Sequence, residues 1–489
     1  MPDIVEDRPS AVEVLERLVQ RVNVTTLSNL ALVGSVEKAA VAEDKKRWKK
    51  HQRQVEEAKM EGRTAKEASF ELRRKEGLRP LPDDELGSFM QLTYGEVLHH
   101  LARGLSLTQR GAARGLAEHW GSLKYIQALQ AGKGSLLWLS PEGKRTVKYY
   151  KALQSDELGH AFALATAVRI LRSRFPEHRV SVVHADTALR AGWALTSTEK
   201  AKGSEVGSVG YRFRPQYLAE VWKPSEPSLV FPIACKGNHA GSGSSHDQLA
   251  SCAAYVDGVH VGAWNETPGL VFSTELPIDG PVAVNALHAK GRGGKLISPR
   301  GKQAEEADLN PTAEQRNLPP GIQRLEDPER PSTYLPGCQV APEDYAWFQR
   351  VLAHTSAAGL TSFAGAGHAT SRLLTDRQGK KFFRGLEHPA AGSVQDSGHE
   401  IRGARFTGTD HIFRLNEARV EAFSGVRTDL FRLLAKGKRP DVEALRSDVY
   451  QRGTAWAYNG WDPEWGGPVL TDEDGTVLAL RVVEVRKAH

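Results

Sequence analysis

The chain has 489 residues, 40% of them hydrophobic, enough for two to four packed domains. Its 65 Lys and Arg against 59 Asp and Glu leave a net charge of +6, a weak pointer to nucleic acid. No apolar run reaches the ~18 residues that span a bilayer, "MPDIVEDRPS" lacks a secretory pattern, and Cys235, Cys252 and Cys338 fit neither a disulfide framework nor a zinc site, so the expected compartment is a reducing cytoplasm.

Residues 9 to 43 carry apolar positions at helical spacing, as in "AVEVLERLVQRV", and predict a helix with Ser10 as its cap. "DKKRWKKHQRQ" continues as a basic helix in which Lys45, Lys46, Arg47, Lys49, Lys50 and Arg53 surround Trp48. Such a helix is either a solvated face or one that lies along phosphates. Two prolines and two glycines in "GLRPLPDDELG" place a boundary near residue 88. Next, "TYGEVLHHLARGL", "SLTQRGAARGLAEHW" and "GSLKYIQALQAG" predict three short helices, with Ser106 or Thr108 capping the second and Ser122 the third. "KGSLLWLSPEGKRTV" then predicts a strand and a turn. This order over residues 89–153 resembles a winged helix-turn-helix. The resemblance implies that Lys124 and Gln127 lie on a recognition helix, with Lys133, Lys144, Arg145 and Lys148 near DNA phosphates. Domains of this order that bind protein are the alternative.

Residues 154–295 predict α, β, β, β, α, β, a sheet flanked by helices. "SDELGHAFALATAVRILRSRF" is the first helix, with Ser155 as cap and Glu157 in its first turn. "HRVSVVHADTAL", "GYRFRPQYLAEVW" and "LVFPIACKG" are the strands, a second helix starts near Ser245, and "PGLVFSTEL" closes the unit. The third strand delivers Lys236 to its polar end, with Ala234 two residues earlier on the same face.

This order resembles the core of the PD-(D/E)xK nuclease superfamily, over less than a third of the chain. The resemblance implies phosphodiester hydrolysis with Mg²⁺ as cofactor. Lys236 matches the motif lysine beside the attacking water. Glu220 and Glu157 match acidic positions that bind metal, and Gln248 matches a glutamine that faces the site. Gln216 stands where a related sequence carries Asp, and Ala234 stands at the motif carboxylate. A methyl group cannot ligate magnesium. A pseudonuclease that keeps the fold to bind DNA, ligands that have migrated to Glu220 with Glu157 or Asp186, and a deliberate acid-to-alanine change all remain open. Each residue also has an ordinary explanation: a solvated strand-end lysine, a surface strand acid, an acid favouring a helix N-terminus.

Residues 296–341 are rich in Gly, Pro and charge and predict a linker or loop. After them "EDYAWFQRVLAHTSAAGL", "EARVEAFSGVRTDLFRLLAKGK" and "DVEALRSDVYQRG" predict helices, and "PVLTDEDGTVLALRVVEV" a hairpin around Asp474–Gly475. Asp410 and His411 in "GTDHIF" are either a catalytic pair or part of a turn. Trp461 and Trp465 either stack on bases or pack the terminal hairpin. The expected architecture is multidomain α/β: a basic helical region 1–88, a winged-helix-like unit 89–153, a nuclease-like αβββαβ core 154–295, a linker 296–341 and a C-terminal α+β unit 342–489. The expected function is DNA binding, with Mg-dependent DNA cleavage of restriction or phage-defence type or an inactive form of it. The alternative is a non-catalytic DNA-binding regulator or a plasmid replication or transfer accessory protein. The partners expected are DNA and no membrane, with a homodimer or a protein partner through residues 342–489 left open.

Overall fold

The cap expected at Ser10 is present in the computed structural model, which describes residues 9–62, 72–107, 118–191, 214–262, 267–291, 294–297, 322–326, 334–375, 378, 392–435 and 440–485. Glu13 N donates to Ser10 Oγ at 3.2 Å and Ser10 N to Glu13 Oε2 at 2.7 Å, a capping box that starts α1 (Ala11–Val19). The apolar period then changes from helical to alternating. "RVNVTTL" is β1 (Arg21–Leu27), so the single helix expected over residues 9–43 is broken by a strand of β-branched residues. Helix α2 (Leu30–Met60) follows and buries only Leu32 and Val36, which leaves its basic half in solvent.

The next elements are β2 (Leu78–Arg79), β3 (Phe89–Thr93), α3 (Tyr94–Leu105), β4 (Leu129–Ala131), β5 (Leu137–Leu139), α4 (Pro141–Lys144) and α5 (Lys148–Arg174). Then come β6 (Arg179–His184), α6 (Ala185–Leu189), β7 (Tyr217–Trp222), β8 (Leu229–Asn238), α7 (Ser242–Val256), β9 (Val259–Val261), β10 (Gly269–Glu275) and β11 (Ala283–Ala289). One eight-stranded sheet runs β3-β1-β11-β10-β8-β7-β6, with β2 on β11. Within it β6, β7 and β8 are antiparallel neighbours, and α7 crosses over to bring β10 parallel to β8. The expected order of helix, three strands, helix and strand is present over residues 154–295, with α6, β9 and β11 in addition; α6 occupies the end of the segment expected as the first strand. The boundaries expected near 88 and 153 are crossed by this sheet, because β1 and β3 pair with each other and β1 pairs with β11. The stretch expected as a break, residues 77–88, is a packed strap in which Leu81 and Leu86 are buried.

Residues 89–153 differ from expectation in detail. The second expected helix falls largely on residues 108–117, outside the described residues. The third is a 3-10 helix over Glu118–Tyr125, followed by the short β4–β5 pair. "SPEG" is a helical turn, because Ser140 Oγ accepts from Gly143 N at 3.0 Å and Pro141 occupies the first turn, where its missing N–H costs nothing. α5 begins at Lys148, so Ser155 lies inside the helix and donates back to Ala152 O at 3.0 Å.

The expected linker contributes β12 (Ile322–Glu326) and β13 (Tyr334–Val340), which form a three-stranded sheet with β9. Beyond it lie α8 (Tyr345–Phe363), α9 (Gly367–Leu373), β14 (Ser397–Ile401), β15 (Ala404–Leu415), β16 (Ala418–Arg427), α10 (Thr428–Ala435), α11 (Val442–Arg452), β17 (Tyr458–Asp462), β18 (Gly467–Thr471) and β19 (Thr476–Val485). A second, antiparallel sheet runs β14-β15-β16-β19-β18-β17. "EARVEAFSGV", expected as helix, supplies the central strand β16, since pairing on both sides outweighs helix propensity. The hairpin around Asp474–Gly475 is present, with Gly475 at φ +80°. One apolar core joins the two sheets, from Leu15 and Leu98 through Phe162 and Phe272 to Val420 and Leu480. No described helix is long and apolar enough to cross a membrane.

Two predictions follow from packing. Helix α5 crosses β8 so closely that a Cβ on Gly159 would lie 2.7 Å from Gly237 N, and one on Gly237 would lie 1.9 Å from Ser155 O. Gly237→Ala is expected to destabilise the protein by about 1–3 kcal/mol in urea unfolding. Gly34→Ala, with nothing within 4 Å, should instead stabilise α2 slightly. The second concerns acid. Burial pushes His99, His184 and His354 down to about 4, and His119 and His260 down to about 3. The unfolded imidazoles titrate near 6.5, so the unfolded chain binds more protons between these limits. Stability should be full above about pH 6.5 and fall toward pH 4 by about 1.4 kcal/mol per unit for each histidine. Melting curves across this range will check the direction.

Candidate functional site

Strand β8 is apolar because both its faces are covered. Ile233 and Cys235 lie in the core with Leu158 and Phe162 of α5, while Ala234 lies in a cluster with Leu32 and Val36 of α2 and Leu249 and Ala250 of α7. Lys236, next on Ala234's face, is half-buried, and its Nζ stands 5.0 Å from the centre of the Tyr255 ring.

The chain then turns through Asn238, whose Oδ1 accepts from Ala240 N at 2.9 Å and Gly241 N at 2.8 Å. Asn238 Nδ2 donates to Ser245 Oγ and Gln248 Oε1 at 3.0 and 3.1 Å. Gln248 Nε2 donates to Gly237 O at 2.9 Å, and its Oε1 also accepts from Ser273 Oγ at 2.7 Å. Gln248 therefore sits beside the strand end as expected, and it serves there as a brace tying α7 to β8 and β10.

The register of β7 on β8 pairs Tyr217 with Ile233, which sets Gln216 across from Ala234. Gln216 Oε1 accepts from Cys235 N at 3.1 Å, so the position at which the resemblance leads one to expect Asp holds an amide bonded to backbone. Ala234 has no exposed surface. A carboxylate there would enter a closed apolar slot and pay desolvation.

Glu220 is elsewhere. It pairs with Val230, at the far end of β8 from Lys236, about 20 Å along the strand. It is fully buried, accepts from Ser228 Oγ at 2.6 Å and is ion-paired with Arg446 of α11. Arg446 in turn lies 4.6 Å over the Trp222 ring. The expected catalytic and metal-binding acid is thus a clamp on the C-terminal helix. Its cation lies 226 positions away, and no local pattern reveals it.

Glu157 is an interior residue of α5, the helix on the Cys235 face. Its carboxylate is ion-paired with Lys124 Nζ at 2.6 Å and accepts from Tyr125 OH at 2.5 Å. Burial, and then Glu157, push the Tyr125 phenol well above its usual range. Glu157 and Glu220 do not share a ligand site. Asp186 is held by Arg214 and, at 3.6 Å, by Arg190. Among the described residues, the one group of three side chains able to hold a metal is His399, Asp410 and Glu421, far along the chain on the second sheet.

The expected DNA contacts divide in two. Lys124 is occupied by Glu157, Gln127 donates to Asn416 Oδ1 at 3.1 Å, and Arg47 is bonded to Glu43 at 2.8 Å. Lys46, Lys133, Arg145 and Lys148 are exposed, and Lys144 is half-buried. Tyr149 and Tyr150, 77% and 57% exposed, follow Lys148 at the start of α5. Burial holds the imidazole of His239, in the loop just past Lys236, below its usual value, and Lys151 on the same turn of α5 as Lys148 lies close enough to act on it. The basic and aromatic start of α5 therefore adjoins the end of β8.

Asp410 and His411 lie on β15, not in a turn, and point to opposite faces. His411 stacks on Trp120 at 5.5 Å, and Asp410 meets His399. Trp465 is buried and donates its indole N–H to Leu480 O at 3.1 Å, the packing role. A cleft of about 80 Å³ opens between α3, α5, β6, α8 and the β18–β19 turn. Its arginines are matched by acids: Arg103 with Asp474 at 3.0 Å, Arg172 with Asp472 at 2.9 Å and Arg179 with Glu473 at 3.4 Å. Such a neutralised network holds the elements together and leaves no excess charge for an anion.

No protein-family description, curated protein or solved structure matches the chain.

If Glu220 is a clamp, Arg446→Ala should leave a buried, unpaired carboxylate and cost about 3–5 kcal/mol. Denaturant titration measures the loss. Glu220→Gln should be milder and should leave any Mg²⁺ affinity unchanged.

Proposed function

We propose that the chain is a DNA-binding protein whose αβββαβ core is a nuclease-like scaffold without cleavage activity. One observation carries the reading. The two positions beside Lys236 that would supply carboxylates are Gln216, whose oxygen is bonded to Cys235 N, and Ala234, which is fully buried. Magnesium needs several oxygen ligands at short distance, and a bonded amide and a methyl group do not provide them. The competing reading, a magnesium-dependent endonuclease of restriction or phage-defence type, needs one or two carboxylates at this strand end.

DNA binding is supported by what surrounds that end. Lys236 is retained, and the start of α5 adds Lys148, Tyr149 and Tyr150 in solvent. Exposed Lys45, Lys46, Lys49, Lys50 and Arg53 line α2 around the 46% exposed Trp48. Cations of this density bind phosphates by releasing counterions, and aromatic rings add stacking that tolerates any base.

Anisotropy titrations of duplex and single-stranded DNA against salt, together with a cleavage assay in Mg²⁺ and in Mn²⁺, test the proposal. Binding should weaken steeply with salt, with a log–log slope of about −0.9 per phosphate neutralised on duplex DNA. Lys148→Ala or Lys46→Ala should lower that slope by about one. No strand should be cut. Metal-dependent cleavage abolished by Lys236→Ala would establish the endonuclease instead, and the absence of salt-dependent affinity would remove DNA from the reading.

A further inference from the structure

We infer that His399, Asp410 and Glu421 form a binding site for a divalent transition-metal ion of the zinc class, on one face of the second sheet. The three residues come from neighbouring strands β14, β15 and β16. Strand pairing sets Ser397 against Gly408 and Asp410 against Phe423, so residues two apart from these share the face: His399 on β14, Asp410 on β15 and Glu421 on β16. Their ligand atoms all lie within 4.8 Å of one another.

The atoms converge on one nitrogen. His399 Nε2 lies 3.0 Å from Asp410 Oδ1, 3.8 Å from Glu421 Oε1 and 3.0 Å from Ser397 Oγ. A Ser-His-Asp relay uses both ring nitrogens, one toward the serine and the other toward the acid. Here serine and acids share the same nitrogen, so the group is not a nucleophile with its base. Convergence of an imidazole and two carboxylates is what a metal requires. Ligands about 2.0–2.2 Å from zinc stand about 3.3 Å apart at tetrahedral angles, so separations of up to 4.8 Å must close by up to about 1.5 Å, shared between two side chains, to complete the site.

The surroundings hold each ligand from outside. Arg481 Nε donates to Glu421 Oε2 at 2.6 Å, while Glu421 Oε1 faces the imidazole. Ser397 donates to Asp410 Oδ2, and Asp410 Oδ1 faces the imidazole. Bonds of this kind orient ligands in metal sites. The ring of His399 is held edge-on by Phe423 at 4.6 Å and Trp465 at 5.1 Å, and the Arg481 guanidinium lies 4.1 Å over Trp465. With a neutral imidazole, two carboxylates against one Arg481 leave a net negative charge at the centre. The side chains of His399 and Asp410 are 20% and 27% exposed, so an ion can enter and keep a water as a further ligand. An imidazole in the set favours zinc over magnesium and manganese. Bound metal would tie edge strand β14 to β15 and β16.

The full chain, stripped with EDTA and desalted, should be titrated with Zn²⁺, Mn²⁺ and Mg²⁺ by calorimetry, with melting temperature and the visible spectrum of bound Co²⁺ as further readouts. The expected result is one site at which Zn²⁺ binds at least tenfold more tightly than Mg²⁺ and raises the melting temperature. His399→Ala should weaken Zn²⁺ at least tenfold and abolish the tetrahedral Co²⁺ bands, while His368→Ala at an exposed helix position should change neither. If His399→Ala does not fold, Asp410→Asn, which keeps the shape and the Ser397 partner, should show the same loss. Zn²⁺ affinity unchanged in Asp410→Asn and His399→Ala, or no stoichiometric binding by the unaltered chain, overturns the site.

Discussion

Strand β8 is covered on both faces, by α5 on the Cys235 side and by α7 and α2 on the Ala234 side, and the other elements are arranged around that constraint. A strand in this position must be apolar until it leaves the sheet, and "LVFPIAC" is. It must also admit helices at close range. Gly159 and Gly237 let α5 approach the backbone of β8 where any side chain would collide. The polar residues that follow can face one another only because the strand ends there: Asn238 turns the chain, Gln248 braces α7, and Lys236 reaches half into solvent.

The same burial explains the separation of the acids. A carboxylate inside this sheet needs a cation and donors, or it stays protonated. Glu220 has both, in Arg446 and Ser228, at the hairpin end of the strand. That arrangement couples the first sheet to α11, and the ion pairs of the central cleft extend the coupling to the β18–β19 turn. Electrostatics in this protein hold its parts together across the middle of the molecule, while exposed positive charge lies on α2 and at the start of α5.

In the proposed reading this scaffold serves recognition and not hydrolysis. Two-metal or one-metal cleavage requires oxygen ligands that converge before the substrate arrives. Convergence is found instead on the second sheet, where β14, β15 and β16 bring a histidine and two acids to one point. The positive surface and the candidate metal centre thus belong to different sheets, which permits one to bind a polyanion while the other stabilises an edge strand.

Local pattern alone determined several features. The Ser10 cap, the α7 crossover between β8 and β10, the strand that carries Lys236, helices α8 and α11 and the Asp474–Gly475 hairpin all follow from periodicity and turn chemistry over short windows. The alanine at position 234 and the glutamine at 216 were also visible as departures from a metal-binding pattern. What tertiary structure decided is wherever distant pairing outweighs local preference. β1 sits inside a helical pattern because β3 and β11 flank it, and β16 is a strand because β15 and β19 do. The partner of Glu220 and the meeting of His399, Asp410 and Glu421 depend on which strands and helices become neighbours. That choice is made by the burial of whole faces, a free energy summed over many residues, which no single stretch of sequence carries.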